Sequence, residues 1–264
     1  MKLILTKQAQ PVPHDFLQSL ANMKAEQLSS FESHVNRIKE GRYSYAGFIT
    51  VDGCQSTVFL KCYKPKGIFQ RCLFSWGVAR AYRAYHVSCG SILPVVSSYA
   101  LVRNTYSSNL YVFYNAISGS NLSEYYKSTP ETQNLSALLA DCGHKLAALH
   151  EAGWTHGDFK WGNVLVNRSQ SSVIFADMDA ARSMSRYNRS ACGRDIARFI
   201  VNAEDYHVDE NLMSHFLSAY ANTVGLTERA CIKHAQPALE KLRLRHDRKY
   251  GLRQQRLFDS ENYK

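Results

Sequence analysis

The chain has 264 residues, 45% of them hydrophobic and 20% charged, enough to bury a large core as one domain or two lobes, and this composition excludes a disordered chain. Its 32 Lys and Arg against 22 Asp and Glu give a net charge of +10, which favours anionic partners (nucleic acid, an anionic membrane face, phosphorylated substrates) without choosing among them. Seven cysteines, odd in number and without a C-x-x-C pair, fit free thiols in a reducing compartment better than a disulfide framework or a zinc site. The opening MKLILTKQAQPVP has too short an apolar run for a signal peptide, and no stretch reaches the roughly 18 to 20 apolar residues that span a bilayer. A cytoplasmic location is expected.

In chain order, the first 40 residues read as polar and helical. In GRYSYAGFITVDGCQSTVFLKCYKPKG, β-rich runs at 45–51 and 57–63 flank Asp52-Gly53, a hairpin turn signal. FQRCLFSWGVARAYRAYHVSCG then reads as one helix or two short ones ending near Gly90. ILPVVSSYALV and NLYVFYNAI are strand-like, and the polar stretch SGSN follows. In LSALLADCGHKLAALHEAG, Leu135, Leu138, Leu139, Cys142, Leu146 and Leu149 fall on one helical face, and Gly153 stands where a C-cap glycine belongs. Beyond residue 180 the pattern is mostly helical. A β-rich first part and a helical second part, joined near 115–121, predict two lobes in an α+β arrangement.

The most informative stretch is HEAGWTHGDFKWGNVLV, residues 150–166. VLV (164–166) and VIFA (173–176), separated by the turn formers NRSQSS, predict an antiparallel hairpin. Asn163 then immediately precedes the first strand, Asp177 immediately follows the second, and Asp158 lies on the entering loop. Three oxygen-bearing side chains converge on one open end, a hard-oxygen arrangement suited to Mg²⁺ held together with phosphate oxygens. The spacing H-x-D-x-K-x-x-N, as His156, Asp158, Lys160 and Asn163, is that of a kinase catalytic loop. Taken singly, Asp158 and Asn163 serve as turn formers equally well, and Asp177 as a cap for a following helix.

THGDFKWGNVLV followed by VIFADMDAAR resembles the protein-kinase-like phosphotransferases, and most closely the bacterial lipopolysaccharide kinases that phosphorylate heptose or Kdo of the inner core. FLKCYKP, RCLFSWGVARAYRAY with Gly90 and Pro94 after it, FYNAISGSNL and GRDIARFIVN extend the resemblance from about residue 40 to about residue 202. It implies a bilobal protein-kinase-like α+β fold, with a β-rich, nucleotide-covering N-lobe over 1–117 and a mainly helical C-lobe over 118–264. It also implies an ATP- and Mg²⁺-dependent kinase acting on a sugar hydroxyl of the lipopolysaccharide core glycolipid. Asp158 would accept or orient the hydroxyl proton, and Lys160 would face the transferred phosphoryl group. Asn163 and Asp177 would ligate Mg²⁺, and Lys61, in TVFLKCY, would meet the α and β phosphates. His156 would prop the loop, Asp179 would be a second acidic support, and Asp195 in GRDIARF would brace the loop from the helical lobe.

Two features depart from the resemblance. GVARAYRAYHVSCG has no acidic residue to hold Lys61, where protein kinases place a glutamate; Glu32 and Glu40 are the substitutes considered. KEGRYSYAG offers Gly41 and Gly47, with Arg42 and Ser44, in place of a Gly-rich phosphate loop, and an ordinary β-turn explains it equally well. A kinase of another small-molecule alcohol and a weakly active pseudokinase or scaffold therefore stand as alternatives. The basic tail EKLRLRHDRKYGLRQQR, with Lys241, Arg243, Arg245, Arg248, Lys249, Arg253 and Arg256, reads as a solvated helix face. Its sharper reading is attraction to the anionic cytoplasmic face of the inner membrane. No helix-turn-helix, RNA-recognition or zinc pattern accompanies the basic residues, so no nucleic-acid partner is expected.

Overall fold

Along TVFLKCY the residues Val58, Leu60 and Cys62 are buried and alternate with more open neighbours, the period of two that one covered sheet face imposes. The computed structural model describes residues 2–4, 32–50, 57–77, 79–89, 92–104, 106–128, 132–167, 171–251 and 255–259. It divides into two units, Met1–Ile92 with Val96–Ile117, and Leu93–Val95 with Ser118–Lys264. No helix among the described residues is long and apolar enough to cross a membrane.

The first unit carries a six-stranded antiparallel sheet. Its strands are β1 (Lys2–Ile4), β2 (Asn36–Gly41), β3 (Ser44–Thr50), β4 (Thr57–Tyr63), β5 (Ser98–Arg103) and β6 (Leu110–Asn115), in the order β1-β5-β6-β4-β3-β2. β3 and β4 pair as the sequence predicts, Ser44 opposite Tyr63 through Thr50 opposite Thr57, while the Asp52-Gly53 turn lies outside the described residues. Val35, Tyr45, Ile49, Val58, Leu60, Cys62, Val102, Tyr111 and Phe113 form one buried cluster on this sheet. β6 is buried over five of its six residues, as befits a strand inside the sheet, whereas β2 is exposed throughout and carries Arg37, Lys39 and Glu40, the charges that protect an edge.

The expectation of a helical first 40 residues is corrected at both of its described ends. Lys2–Ile4 pairs with β5 and Asn36–Gly41 pairs with β3, so strand pairing overrides the polar local pattern. Residues 5–31 lie outside the described part. The basic aromatic segment forms two helices, α1 (Ile68–Ser75) and α2 (Arg80–Ser88), and α2 packs on β5 and β6 through Ala81, Tyr82, Ala84, Tyr85 and Val87.

In the second unit SGSN is not merely a polar link. Its end is β7 (Ser120–Asn121), which pairs with β9 (Val164–Asn167), itself paired with β10 (Ser172–Phe175). The helices α3 (Leu122–Ser128) and α4 (Thr132–Glu151) come between them, and every residue predicted for the buried face of α4 is at most 3% exposed. Gly153 has φ of 81° and donates its N–H to His150 O, closing that helix as predicted. β8 (Trp154–Thr155) pairs with β11 (Arg182–Ser183), and α5 (Arg189–Asp205), α6 (Glu210–Thr223) and α7 (Glu228–Tyr250) complete the unit. Asn188, Asp209 and Thr227 each accept a backbone N–H from the first turn of the helix that follows, so each start is set by a side-chain cap. α4 packs on α6, and α5 on α7.

The basic tail is corrected in one member. Arg243 is not on a solvated face. It is 4% exposed, its Nε donates to Glu204 Oε1 at 3.1 Å, and its Nη2 donates to Leu257 O.

Candidate active site

Residues 156–163 carry the loop that leads into the hairpin. Asp158 and Lys160 are partly exposed while Phe159 and Trp161 are fully buried, so the loop alternates like a strand, and Lys160 has extended φ and ψ. Phe159 stacks on Phe199 with centroids 4.9 Å apart and meets Phe175 edge-on at the same distance, and Trp161 stacks on Phe199 at 5.6 Å. Each burial anchors the backbone and turns the intervening Asp158 and Lys160 outward. Gly157 has φ of 80°, and a β-carbon there would lie 2.2 Å from Ala180 O, so only glycine lets the segment after the hairpin approach.

α5 satisfies the loop's backbone. Asp195, 1% exposed, accepts the His156 N–H at 2.7 Å and the Gly157 N–H at 2.9 Å. Asn202 Oδ1 accepts the Trp161 N–H at 2.9 Å, and Arg198 Nε stands 4.0 Å from Asp158 Oδ1. Positions 195, 198 and 202 share one helical face. Asp195 in turn accepts from His150 Nε2 at 3.3 Å, His150 Nδ1 bonds Tyr220 Oη at 2.8 Å, and Tyr220 bonds Tyr187 at 3.0 Å. Burial alone would raise the Asp195 carboxyl; the hydrogen bonds from His150 and from the His156 N–H, with the two imidazoles beside it, overcome this and hold the carboxyl below its ordinary range. Asp195 is thus a buried brace and not a surface ion pair.

His156 is a prop, as expected. Burial lowers its pKa, although Asp195, Asp177 and Asp158 pull the other way. Its Nε2 donates to Ala176 O at 3.0 Å, because a carbonyl can only accept. Nδ1 is then the acceptor that faces the Asp158 N–H at 3.4 Å.

The predicted antiparallel hairpin forms, with Val164 opposite Phe175, and the Ala176 N–H donates to Asn163 O at 2.9 Å. Asn163 and Asp177 therefore stand at the same open end. Asn163 Nδ2 donates to Asp158 O at 2.8 Å and to Asp158 Oδ2 at 3.2 Å, and Lys160 Nζ donates to the same Oδ2 at 2.8 Å. Asp177 has φ of 61°, a left-handed conformation that aspartate tolerates, and its side chain does not cap the short 3₁₀ turn Met178–Ala180 that carries Asp179. At the far side, Lys145 on α4 donates to Asp141, Ser172 and Val173 O, and Asp141 accepts the Val173 N–H, which fastens β10 to α4.

Lys61 belongs to the first unit. It lies on β4 on the side opposite Val58, Leu60 and Cys62, with Nζ 5.4 Å from the Tyr63 ring centre. Glu32 accepts from the Tyr111 hydroxyl, and Tyr111 pairs directly with Cys62, so Glu32 is on the other face of the sheet from Lys61. Glu40 pairs with Arg37 at 2.6 Å. Gly41 and Ser44 are the last pair of β2 and β3, leaving Arg42-Tyr43 as a two-residue hairpin turn, the simpler of the two readings of that segment. Gly47 serves the close approach of β2, since a β-carbon there would lie 2.2 Å from Asn36 O.

A mixed α/β chain with an antiparallel sheet, several helices and an aspartate–lysine–asparagine loop feeding a hairpin is compatible with a kinase-like fold. Residues 113–220 match the family model described as the lipopolysaccharide kinase (Kdo/WaaP) family, the family that the motif residues resemble. That family is one of kinases, so phosphoryl transfer is the chemistry the match indicates. The matched span begins in β6 and ends in α6, so it runs further toward the C-terminus than the motifs did and does not cover residues 40–112, where Lys61 lies. No curated protein matches the chain.

Sequence reasoning missed Arg198, Asn202, His150 and Tyr220. The spacing 195, 198, 202 in GRDIARFIVN is the one signal that could have found the first two.

Proposed function

We propose that the chain is an ATP- and Mg²⁺-dependent kinase of a lipopolysaccharide inner-core sugar, heptose or Kdo. The observation that carries this reading is the bonding of Asn163 to both the carbonyl and the carboxylate of Asp158, at the hairpin end that also carries Asp177, inside the segment that matches the kinase family. A pair of turn formers would not need that mutual bonding.

The residues present fit Mg²⁺. Both Asn163 Nδ2 bonds go to Asp158, which leaves Oδ1 for a cation, and Asp177 adds a carboxylate residue at the same hairpin end. One or two hard protein oxygens, completed by phosphate oxygens and water, are what Mg²⁺ takes. Bound there, the ion would neutralise charge on the nucleotide phosphates. In this mechanism the acceptor hydroxyl oxygen forms the new bond to the γ-phosphorus, the bond to the ADP oxygen breaks, and the hydroxyl proton passes to Asp158. Lys160, within 2.8 Å of Asp158, faces the transferred group, and Lys61 takes the α and β phosphates. The first lobe, 1–117, would cover the nucleotide and the second, 118–264, would hold the acceptor. The basic residues of α7, Arg243 excepted, would favour a peripheral position on the cytoplasmic face of the inner membrane.

Replacing Asp158 or Asp177 by Ala tests the assignment. Each variant should lose phosphate incorporation into core oligosaccharide by about 100-fold or more while keeping its fold, measured with labelled ATP and by mass spectrometry of the product. Full activity in either refutes it. One observation favours a scaffold instead: no acidic residue is present in α1 or α2. A wild-type chain that neither binds nucleotide nor transfers phosphate would establish that reading, and an acceptor panel separates core sugars from other alcohols.

A further inference from the structure

Four arginine side chains among the described residues have a carboxylate near them: Arg37 with Glu40, Arg198 with Asp158, Arg243 with Glu204 and Arg256 with Asp247. Arg182, Arg186, Arg189 and Arg194 differ. These four, all solvent-exposed, line one open depression of about 720 Å³ in the second unit, and none has an ion pair among the described residues. Arg194 donates to Ser190 Oγ at 3.1 Å, and Ser183 and Ser185 add hydroxyls to the lining. The start of α5, a helix of 17 residues, belongs to the same wall, its positive end adding to the field. Four cations gathered without counter-charge repel one another, and an anion relieves that repulsion. The planar guanidinium matches phosphate and carboxylate oxygens with two parallel hydrogen bonds.

The cavity is also tied to the candidate catalytic carboxylate. Thr155 lines it, three residues before Asp158, and is paired in register with Arg182. Arg194 lies four residues, about 6 Å along the axis of α5, before Arg198, whose Nε is 4.0 Å from Asp158 Oδ1. An anion among these arginines therefore occupies the same face of the second unit as Asp158.

The geometry points to a binding site for an anionic group of the acceptor, a phosphate monoester or a carboxylate, whose capture in the Arg182–Arg194 cavity presents the acceptor hydroxyl to Asp158. This inference rests on the phosphotransferase reading for its second half, the presentation of the hydroxyl. Its first half, anion capture, stands on the cavity alone.

The test uses the full chain with ¹⁵N-labelled arginine, titrated with glucose 6-phosphate, glucuronate and glucose and followed by NMR. Saturable shifts with one or both anions are expected, the stronger of the two naming the group, with none from glucose. Binding should weaken about tenfold or more in the Arg186→Gln/Arg189→Gln variant and persist in Asp177→Asn, which separates the cavity from the nucleotide site. No saturation by either anion, or equal affinity in the double variant, overturns the site. In the kinase assay the double variant should raise KM for core oligosaccharide by about tenfold with KM for ATP unchanged; an unchanged acceptor KM overturns the acceptor role. If the wild type transfers no phosphate, the phosphotransferase reading fails while the titration still decides the cavity.

Discussion

His156 shows how one side chain couples the loop to pH. Burial keeps its imidazole neutral in the folded chain, where Nε2–H holds Ala176 O. Above the ordinary imidazole value of about 6.5 neither state binds a proton there, so its contribution is fully present. As pH falls below that value, the unfolded chain takes up a proton that the folded chain refuses, and stability is lost toward the folded pKa. Urea unfolding at pH 7.5 and 5.5 should therefore show a larger loss in the wild type than in His156→Gln; equal losses would count against it. Asp195 acts in the other window, because its lowered carboxyl keeps its contribution until the pH falls below ordinary carboxylate values. Asp158, Lys160, Asn163 and Asp177 could be picked from the sequence because their chemistry is local and their spacing short. Arg198 and Asn202 could not, since a helix face has no meaning for a loop until the helix docks on it.

Among the elements, α5 does most to place the loop, and its own position depends on Gly193. A β-carbon there would lie 2.2 Å from His234 O on α7. Gly193→Ala should push the two helices apart, cost about 1–3 kcal/mol of stability and, through Asp195, Arg198 and Asn202, depress activity. Denaturant unfolding with a parallel kinase assay checks both, and an Ala variant as stable as wild type would show the approach to be slack. Gly143 does the same for α4 and α6, standing 2.3 Å from Phe216 O by the same measure. The period of two in TVFLKCY and of three and four in LSALLADCGHKLAALHEAG made β4 and α4 legible. β2 and β7 were not, because an exposed charged edge and a two-residue strand have no apolar period to read, and their pairing is set by neighbours distant in the chain.

For the molecule as a whole, net charge hides how differently its arginines behave. Arg243 is buried against Glu204, and Glu204 Oε1 also accepts the Leu257 N–H at 3.0 Å while Glu210 Oε2 accepts the Phe258 N–H at 2.8 Å. Leu257 and Phe258 are each 1% exposed, so this cluster fastens the end of the described chain to α5 and α6. Arg243→Ala would strand a buried carboxylate and should lower the unfolding free energy by about 3–5 kcal/mol, with Tm falling accordingly in calorimetry. A change within error would mean that the pair contributes nothing net.

By itself the sequence pointed to mixed α and β content, the buried face of α4, the hairpin and the candidate site's residues. Each depends on residues within a few turns or one hairpin of one another, where side-chain period and spacing act directly. Only the tertiary structure decided that α5 would satisfy the loop's backbone, that Arg243 would be buried, and that Arg182, Arg186, Arg189 and Arg194 would share a cavity. The first two outcomes turn on which distant carboxylate or carbonyl reaches each polar group, where burial makes an unmet partner too costly to leave to local preference, and the third on how β11 and the start of α5 are placed beside β8.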